Sequence, residues 1–193
     1  MTRPPPPDTP AEALASAFRL LARGVADRRS PFHTPTLATR GADGAPNLRT
    51  VVLRGFDAAS RTLRIHTDRR SAKAAEIAAE PRAMLHAYDP GAQVQLRLAG
   101  RARLHLDDEV AEAAWAASRE MSRMCYAAAA APGSPLAAPA PTPRDALAGR
   151  ANFAVVLMAV DSLDWLLLAH EGHRRARFRW EADGTLSAGW IAP

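Results

Sequence analysis

Residues 49–73, RTVVLRGFDAASRTLRIHTDRRSAK, constrain the fold more than any other stretch of the chain. Two runs rich in apolar and β-branched residues flank a short Asp-Ala-Ala-Ser turn, which predicts an antiparallel β-hairpin. The second run leads directly into a helical segment with Ser71 at its N-cap position. The stretch therefore predicts antiparallel β structure that ends at the start of a helix, and it argues against a βαβ unit.

Further β signals occur along the whole chain and predict a mainly β fold. The predicted strands cover residues 34–40, 47–56, 62–67, 84–88, 93–106, 153–160, 165–169 and 175–181, with a last short strand ending at Trp190. The first three are expected to form a meander, and Gly100 is expected to let the long strand bend. An amphipathic helix begins at Pro10, with Thr9 as its N-cap, and further helices cover residues 71–79 and 107–123. This pattern predicts a small β-barrel with peripheral helices.

The domain organisation is simple. A length of 193 residues suits one domain, predicted to span residues 10–193. The proline-rich residues 1–9 are expected to be disordered. Residues 127–145 are rich in alanine and proline and offer little to bury, so they are predicted to form a flexible loop.

The net charge of +5 comes from arginines scattered along the chain rather than from a basic run. This distribution favours a small anionic ligand over nucleic acid. The longest apolar run, residues 153–160, is far shorter than the ~20 residues that span a membrane. The N-terminus lacks the apolar core of a signal peptide, which predicts a cytoplasmic protein.

The exit from the third predicted strand suits a phosphate group. Thr67 and Ser71 offer hydroxyls, the helix N-terminus offers backbone N–H groups, and Lys73, the only lysine of the chain, offers a compact charge. Arg49 and Arg54 lie five residues apart on one strand, so they are expected to point to opposite faces. A capped helix surrounded by solvated arginines would explain the same residues, and both interpretations stay open at this point.

Other candidate sites are weak. His170 and His173 stand three apart across a glycine-containing turn, unlike the HExxH helix of zinc proteases, so no metal site is predicted. Cys125, the single cysteine, has no evident base partner, and the Rossmann, Walker and GxSxG patterns do not occur. Any chemistry is therefore expected to come from a bound cofactor.

Four segments in order, RTVVLR, HTDRRSAKAAEI, QLRLAGRARL and a C-terminal RFRW…GWIAP, resemble the pyridoxamine 5′-phosphate oxidase-like flavoproteins. The resemblance runs from about residue 35 to residue 103 and resumes from residue 153 to the end. It implies an FMN-binding split β-barrel that forms a homodimer with FMN at the subunit interface. It also implies an oxidoreductase that acts on a small molecule.

The resemblance implies a set of cofactor-binding residues. On the strand of the RTVVLR motif, the side chain of Arg49 is expected to contact the phosphate. The residues that follow it are expected to line the flavin ring: Thr50, Val51, Val52, Leu53 and Arg54. Around the helix start, the corresponding residues are His66, Thr67, Ser71, Ala72 and Lys73. Two later strands contribute residues near the flavin: Gln95 and Arg177.

Two departures from the family pattern concern the substrate. The R-x-H pair that authentic pyridoxamine phosphate oxidases use for substrate falls near residues 173–175 and is not reproduced, and Ala113 stands near the position of a family tyrosine. The prediction is an FMN-dependent oxidoreductase with an unidentified substrate and unknown catalytic residues. Two alternatives remain: an authentic pyridoxamine 5′-phosphate oxidase, and a non-catalytic protein that binds flavin or haem.

Overall fold

The computed structural model describes residues 5–193, which form nine strands, four α-helices and three short 3₁₀ helices. The strands are β1 Thr36–Arg40, β2 Pro46–Thr50, β3 Leu53–Asp57, β4 Thr62–Asp68, β5 Arg82–Asp89, β6 Val94–His105, β7 Phe153–Leu167, β8 Arg174–Trp180 and β9 Leu186–Ile191. The helices are α1 Pro10–Ala26, α2 Ala72–Ala79, α3 Glu109–Ala116 and α4 Glu120–Arg123. The mainly β prediction is confirmed.

All strand pairs are antiparallel, and the sheet follows the order β2-β1-β5-β6-β7-β4-β3, with β8 and β9 extending from β7. The two edge strands of this path, β2 and β3, are joined by Val51 and Val52 alone. Three successive Cα steps span at most about 11 Å. The sheet must therefore curl until the end of β2 meets the start of β3, which gives a barrel that stays open between these two strands.

The prediction of one continuous strand over residues 47–56, paired as a meander, was wrong. β2 pairs with β1 and β3 pairs with β4, so the two halves belong to opposite edges of the sheet. The backbone N–H of Val51 leaves the strand direction and donates to Pro35 O at 2.9 Å. Both halves are β-prone, so the strand pattern alone did not reveal the break at Val51 and Val52.

The long strands β6 and β7 form the centre of the sheet. Residues 153–160 and 165–169 were predicted as two strands, but a single strand of 15 residues runs from Phe153 to Leu167, and residues 168 and 169 lie beyond its end. The pairing of β6 with β7 shifts register between Ala99 and Gly100, where a bulge bends the ladder. The irregularity expected at Gly100 is therefore confirmed.

Helix α1 packs against the barrel through its apolar face, with Ala13, Ala17 and Leu21 fully buried. Thr9 forms the predicted N-cap, and it shares a reciprocal capping box with Glu12. Of the segment predicted to be disordered, residues 1–4 lie outside the described residues. Within the remainder, the Pro7 carbonyl and the Asp8 carboxylate accept hydrogen bonds from the Arg174 guanidinium.

The helix predicted over residues 107–123 is interrupted, because α3 ends at Ala116. The guanidinium of Arg123 turns back to donate to the carbonyls of Trp115 and Ala116, and so satisfies acceptors that end the helix. Trp115 packs with Phe153 in a second hydrophobic cluster on the outer side of β7. Residues 127–145 contain no helix or strand, as predicted, and their flexibility stays a prediction.

Among residues 5–193, no helix combines the length and the apolar character that crossing a membrane would require.

Candidate functional site

The turn from β4 into α2 gathers three of the predicted phosphate ligands. Thr67 and Ser71 are each 3% exposed, and their hydroxyl oxygens lie 3.2 Å apart. Lys73 Nζ donates to Thr67 Oγ1 at 3.2 Å. Ser71 occupies the N-cap position, but its hydroxyl donates to Asp68 O at 2.7 Å rather than capping the helix. The first turn of α2 is therefore not capped by that side chain.

Arg49 approaches the same helix from β2. Its Nη2 donates to Glu76 Oε2 at 2.7 Å, and its Nη1 donates to the hydroxyl of Thr39. Glu76 also accepts from Asn47 Nδ2 at 2.7 Å. Arg49 and Lys73 are thus brought to one end of α2, from residues 24 positions apart in the chain.

The pKa values of Lys73 and Glu76 in this partly buried cluster reflect the groups packed around them. Burial and the nearby charge of Arg49 lower the pKa of Lys73, while Asp68 and Glu76 oppose that shift. Burial acts to raise the pKa of Glu76, but hydrogen bonds from Thr39, Asn47 and Arg49 outweigh it and lower that pKa. Two cations, two buried hydroxyls and a helix N-terminus form a donor set that fits a phosphate dianion.

The other predicted cofactor-binding residues beside this cluster differ in how far their side chains are exposed. The side chains of Val51 and Leu53 lie in the hydrophobic core, so only their backbone is available to a ligand. Thr50 is exposed, Val52 is half-buried, and Ala72 is exposed on the first turn of α2.

Arg54 and His66 lie in a separate cavity of about 340 Å³ between the end of α1, the β3–β4 hairpin and α3. Consecutive residues of a strand face opposite sides, so His66 points away from the cluster that contains Thr67. The cavity is strongly basic. Its charged and polar lining residues are Arg28, His33, Arg54, Arg64, His66, Ser118, Arg119 and Ser122.

Two buried donors or acceptors in this cavity lack a hydrogen-bond partner among the described residues: Arg54 Nε and His66 Nε2. Burial, followed by the charges of Arg54 and Arg64, lowers the pKa of His66 to about 4. The imidazole is therefore neutral at pH 7. Buried polar groups are nearly always bonded, so these two atoms mark a place where a polar ligand would be stabilised.

Gln95 and Arg177 lie on the outer face of the sheet. Thr39 and Arg49, by contrast, share the face of β1 and β2 that carries the buried Leu37. On the outer face, Gln95 Oε1 lies 3.2 Å from His86 Nε2, and Arg177 Nη2 lies 3.7 Å from Asp164 Oδ2. The structure thus separates these two predicted residues from the phosphate cluster within one chain.

Several residues of the phosphate cluster and of the basic cavity were not predicted from the sequence. Thr39, Asn47 and Glu76 complete the surroundings of Arg49, and a signal for two of them exists. Asn47 is two residues before Arg49 on the same strand face, and Glu76 is three residues after Lys73 on the same helix face. The cavity residues from α1 and α3 carried no such signal, because only the tertiary fold brings them to β3 and β4.

The start of the Ala/Pro-rich loop is attached near the phosphate cluster. Arg70 pairs with the carboxylate of Asp68 at 2.8 Å and donates to Ala128 O at 2.9 Å and Ala129 O at 3.0 Å. One side chain therefore connects the turn before α2 with the start of this loop. The histidines of the HEGH segment lie in the turn before β8, and no group of three potential metal ligands occurs in the described part of the chain.

Comparison with known proteins places this chain among FMN-binding proteins. The family model described as pyridoxamine 5′-phosphate oxidase, FMN-binding domain, matches residues 15–106, which include both the cluster around Lys73 and Gln95. The pyridoxine/pyridoxamine 5′-phosphate oxidase of Anaeromyxobacter dehalogenans is 36% identical over 97 residues, which cover 50% of this chain and 48% of that protein. The chain spans about half the length of the curated relatives it matches.

Solved structures extend the similarity to nearly the whole chain. A pyridoxamine 5′-phosphate oxidase-related, FMN-binding protein from Nostoc punctiforme is 28% identical with a TM-score of 0.78, covering 93% of this chain and 96% of that chain. PhzG from Burkholderia lata, in complex with tetrahydrophenazine-1-carboxylic acid, shares the fold with a TM-score of 0.72 at 20% identity, covering 97% of this chain and 94% of that chain. FMN is the cofactor that the matched domain binds. Residues 15–106 therefore match the FMN-binding domain of pyridoxamine 5′-phosphate oxidases, and the chain as a whole has the split-barrel fold of FMN-binding proteins related to them.

Proposed function

We propose that this protein is a cytoplasmic, FMN-dependent oxidoreductase that acts on a small molecule with an anionic group. The observation that carries the proposal is the presence of two basic sites on adjacent elements. The cluster of Arg49, Thr67, Ser71 and Lys73 suits the FMN phosphate, and the arginine-lined cavity behind β4 suits the anionic group of a substrate.

The cofactor half of the proposal rests on the donors around α2. Arg49 and Lys73 supply charge, Thr67 and Ser71 supply hydroxyls, and the α2 N-terminus supplies backbone N–H groups. The backbone of residues 50–53 lies next to this cluster and would line the ring. When bound, FMN supplies the capacity to accept a hydride equivalent, and the chain supplies binding and orientation.

The substrate half rests on the charge of the cavity. Four arginines and two histidines line a space of about 340 Å³, in which an anion would offset the mutual repulsion of the guanidinium groups. The unpartnered Arg54 Nε is a fitting donor to a phosphate or carboxylate oxygen. A neutral substrate would leave this charge uncompensated.

The assembly that we propose is a homodimer with FMN at the subunit interface. Gln95 and Arg177 occupy the outer sheet face, so a ligand held at Arg49 reaches them most directly on a second copy. The same face carries exposed apolar side chains, with Leu48 60% and Tyr88 40% exposed, which suits burial against a partner.

An authentic pyridoxamine 5′-phosphate oxidase is the second candidate, and the names of the relatives at 36% identity favour it. Two arginines near the position of the family's substrate pair are already engaged. Arg174 pairs with Asp8 at 2.6 Å, and Arg175 pairs with Asp164 at 2.9 Å. These pairs favour a different substrate, so the unidentified anionic molecule remains the leading proposal.

Anaerobic reduction of the bound flavin tests both candidates. Pyridoxamine 5′-phosphate, pyridoxine 5′-phosphate and their unphosphorylated forms are mixed with the FMN-loaded protein, together with a panel of small phosphates and carboxylates. We expect bleaching of the flavin band by an anionic compound, and at least a tenfold weaker response after Arg54→Ala with Arg119→Ala, because each lost charged bond costs about 1.5–3 kcal/mol. Bleaching by neutral compounds alone would contradict the proposal. Peroxide formation with pyridoxamine 5′-phosphate in air would establish the second candidate.

The titration of His66 provides an independent test of the cavity. Because its pKa is lowered to about 4 by burial and by neighbouring arginines, a bound anion that offsets those charges should raise it, by roughly one unit. A pKa that rises on binding means that protons are taken up, so anion affinity should increase as the pH falls from about 6 toward 4. Sulfate keeps its charge over this range and is therefore the probe.

The measurement is the NMR titration of the His66 ring signals with and without sulfate. The signals of His170, which is exposed in the turn before β8, serve as the control and should not respond. A His66 titration that sulfate leaves unchanged would show that no anion binds in this cavity.

A further inference from the structure

Glu76 is an unusual neighbour for a phosphate site, because it places a nearly buried carboxylate beside the proposed ligands. It is 9% exposed, and its two oxygens accept three hydrogen bonds. Thr39 Oγ1 lies 2.5 Å and Arg49 Nη2 lies 2.7 Å from Oε2, while Asn47 Nδ2 lies 2.7 Å from Oε1. A carboxylate would repel a phosphate, so a favourable effect of Glu76 on that ligand must be exerted through another residue.

The residue through which it acts is Arg49. A free arginine side chain has many rotamers, and ordering it on ligand binding costs up to ~2 kcal/mol. Here the guanidinium is only 19% exposed and is held at both terminal nitrogens, by Glu76 and by Thr39. These contacts engage two of its five N–H groups and determine the direction of the others.

Glu76 also offsets the repulsion between the two proposed phosphate-binding cations. It lies three residues after Lys73 on α2, and its charge counters the effect of Arg49 on that lysine. A buried carboxylate that stays ionised beside Lys73 therefore opposes the lowering of the lysine pKa.

We propose that Glu76 is a positioning residue for FMN, which holds Arg49 in the orientation that receives the phosphate. This inference rests on the proposed role of Arg49 as a phosphate ligand. The alternative role is purely mechanical, in which Glu76 attaches the β1–β2 hairpin to α2 without influence on the ligand. The two roles differ in one measurable respect: positioning affects a flavin that has a phosphate more than one that lacks it.

The experiment compares FMN with riboflavin, which lacks the phosphate, by quenching of flavin fluorescence on binding to the apoprotein. Glu76→Ala is expected to weaken FMN binding by about tenfold or more, as the loss of a charged hydrogen-bond partner implies, with riboflavin binding changed less than twofold. Glu76→Gln keeps an acceptor for Arg49 and should lie between Glu76→Ala and the unmodified protein. Glu80→Gln, which breaks the ion pair of Glu80 with Arg82 at the end of the same helix, is the matched control and should bind FMN normally.

Thermal unfolding of each apoprotein separates loss of stability from loss of binding. FMN affinity of Glu76→Ala equal to or above that of the unmodified protein, or an equal loss for FMN and riboflavin, would overturn the inference. Arg49→Ala tests the phosphate assignment separately from the role of Glu76. If that variant binds FMN normally, the phosphate assignment itself is wrong; if it binds weakly while Glu76→Ala binds normally, only the role of Glu76 is wrong.

Discussion

Replacement of Arg49 and Lys73 together by alanine is expected to give a folded protein that purifies without flavin. Both side chains reach the same end of α2, and each would donate a charge-assisted bond to the phosphate. Hydrogen bonds to charged groups contribute about 1.5–3 kcal/mol each. Their combined loss corresponds to a decrease in FMN affinity of roughly a hundredfold to ten-thousandfold. The measurement is the ratio of flavin to protein absorbance after purification, followed by titration with FMN.

The control for this variant must change the net charge equally. Arg101 and Arg144 are both exposed and lie outside the cluster, so their joint replacement by alanine also removes two positive charges. We expect that protein to retain its flavin. Because the loss of Arg49 leaves Glu76 without its charged partner, circular dichroism must show that the double variant is folded. Full flavin occupancy in a folded double variant would exclude Arg49 and Lys73 as phosphate ligands.

Gly100→Ala is expected to destabilise the protein by about 3 kcal/mol or more, or to prevent folding, because the site cannot relax without breaking the central ladder. A Cβ atom added at Gly100 would lie 2.0 Å from the carbonyl oxygen of Ala159 on the paired strand. The position coincides with the register shift between β6 and β7. Substitution would therefore force apart the two longest strands of the sheet.

Urea unfolding followed by tryptophan fluorescence measures this effect. Gly189→Ala is the matched control, since a Cβ atom there would meet no atom within 4 Å and the residue also lies in a strand. We expect its midpoint to stay close to that of the unmodified protein. An unchanged midpoint for Gly100→Ala would mean that the bulge tolerates a side chain and that the close approach at Ala159 is not required.

Local patterns suffice for three features of the fold. The N-cap at Thr9, the β3–β4 hairpin and the helix that starts after Ser71 all depend on residues close in sequence, and the structure contains each of them. The break between β2 and β3 was not predicted, because the residues on both sides of it are equally suited to a strand. The pairing of β2 with β1 and of β3 with β4 decides where each strand ends.

The amino-acid sequence by itself determined the antiparallel β class, the lead-in helix and the group of Thr67, Ser71 and Lys73, since all of these follow from side-chain periodicity and short-range hydrogen bonding. Only the tertiary structure decided that Arg49 meets Glu76, that Arg54 and His66 share a basic cavity with residues of α1 and α3, and that Gln95 and Arg177 lie on another face. These contacts join residues from distant parts of the chain, and their geometry depends on how the sheet curls. A sequence pattern records spacing along one element, whereas a binding site is set by the distances between elements.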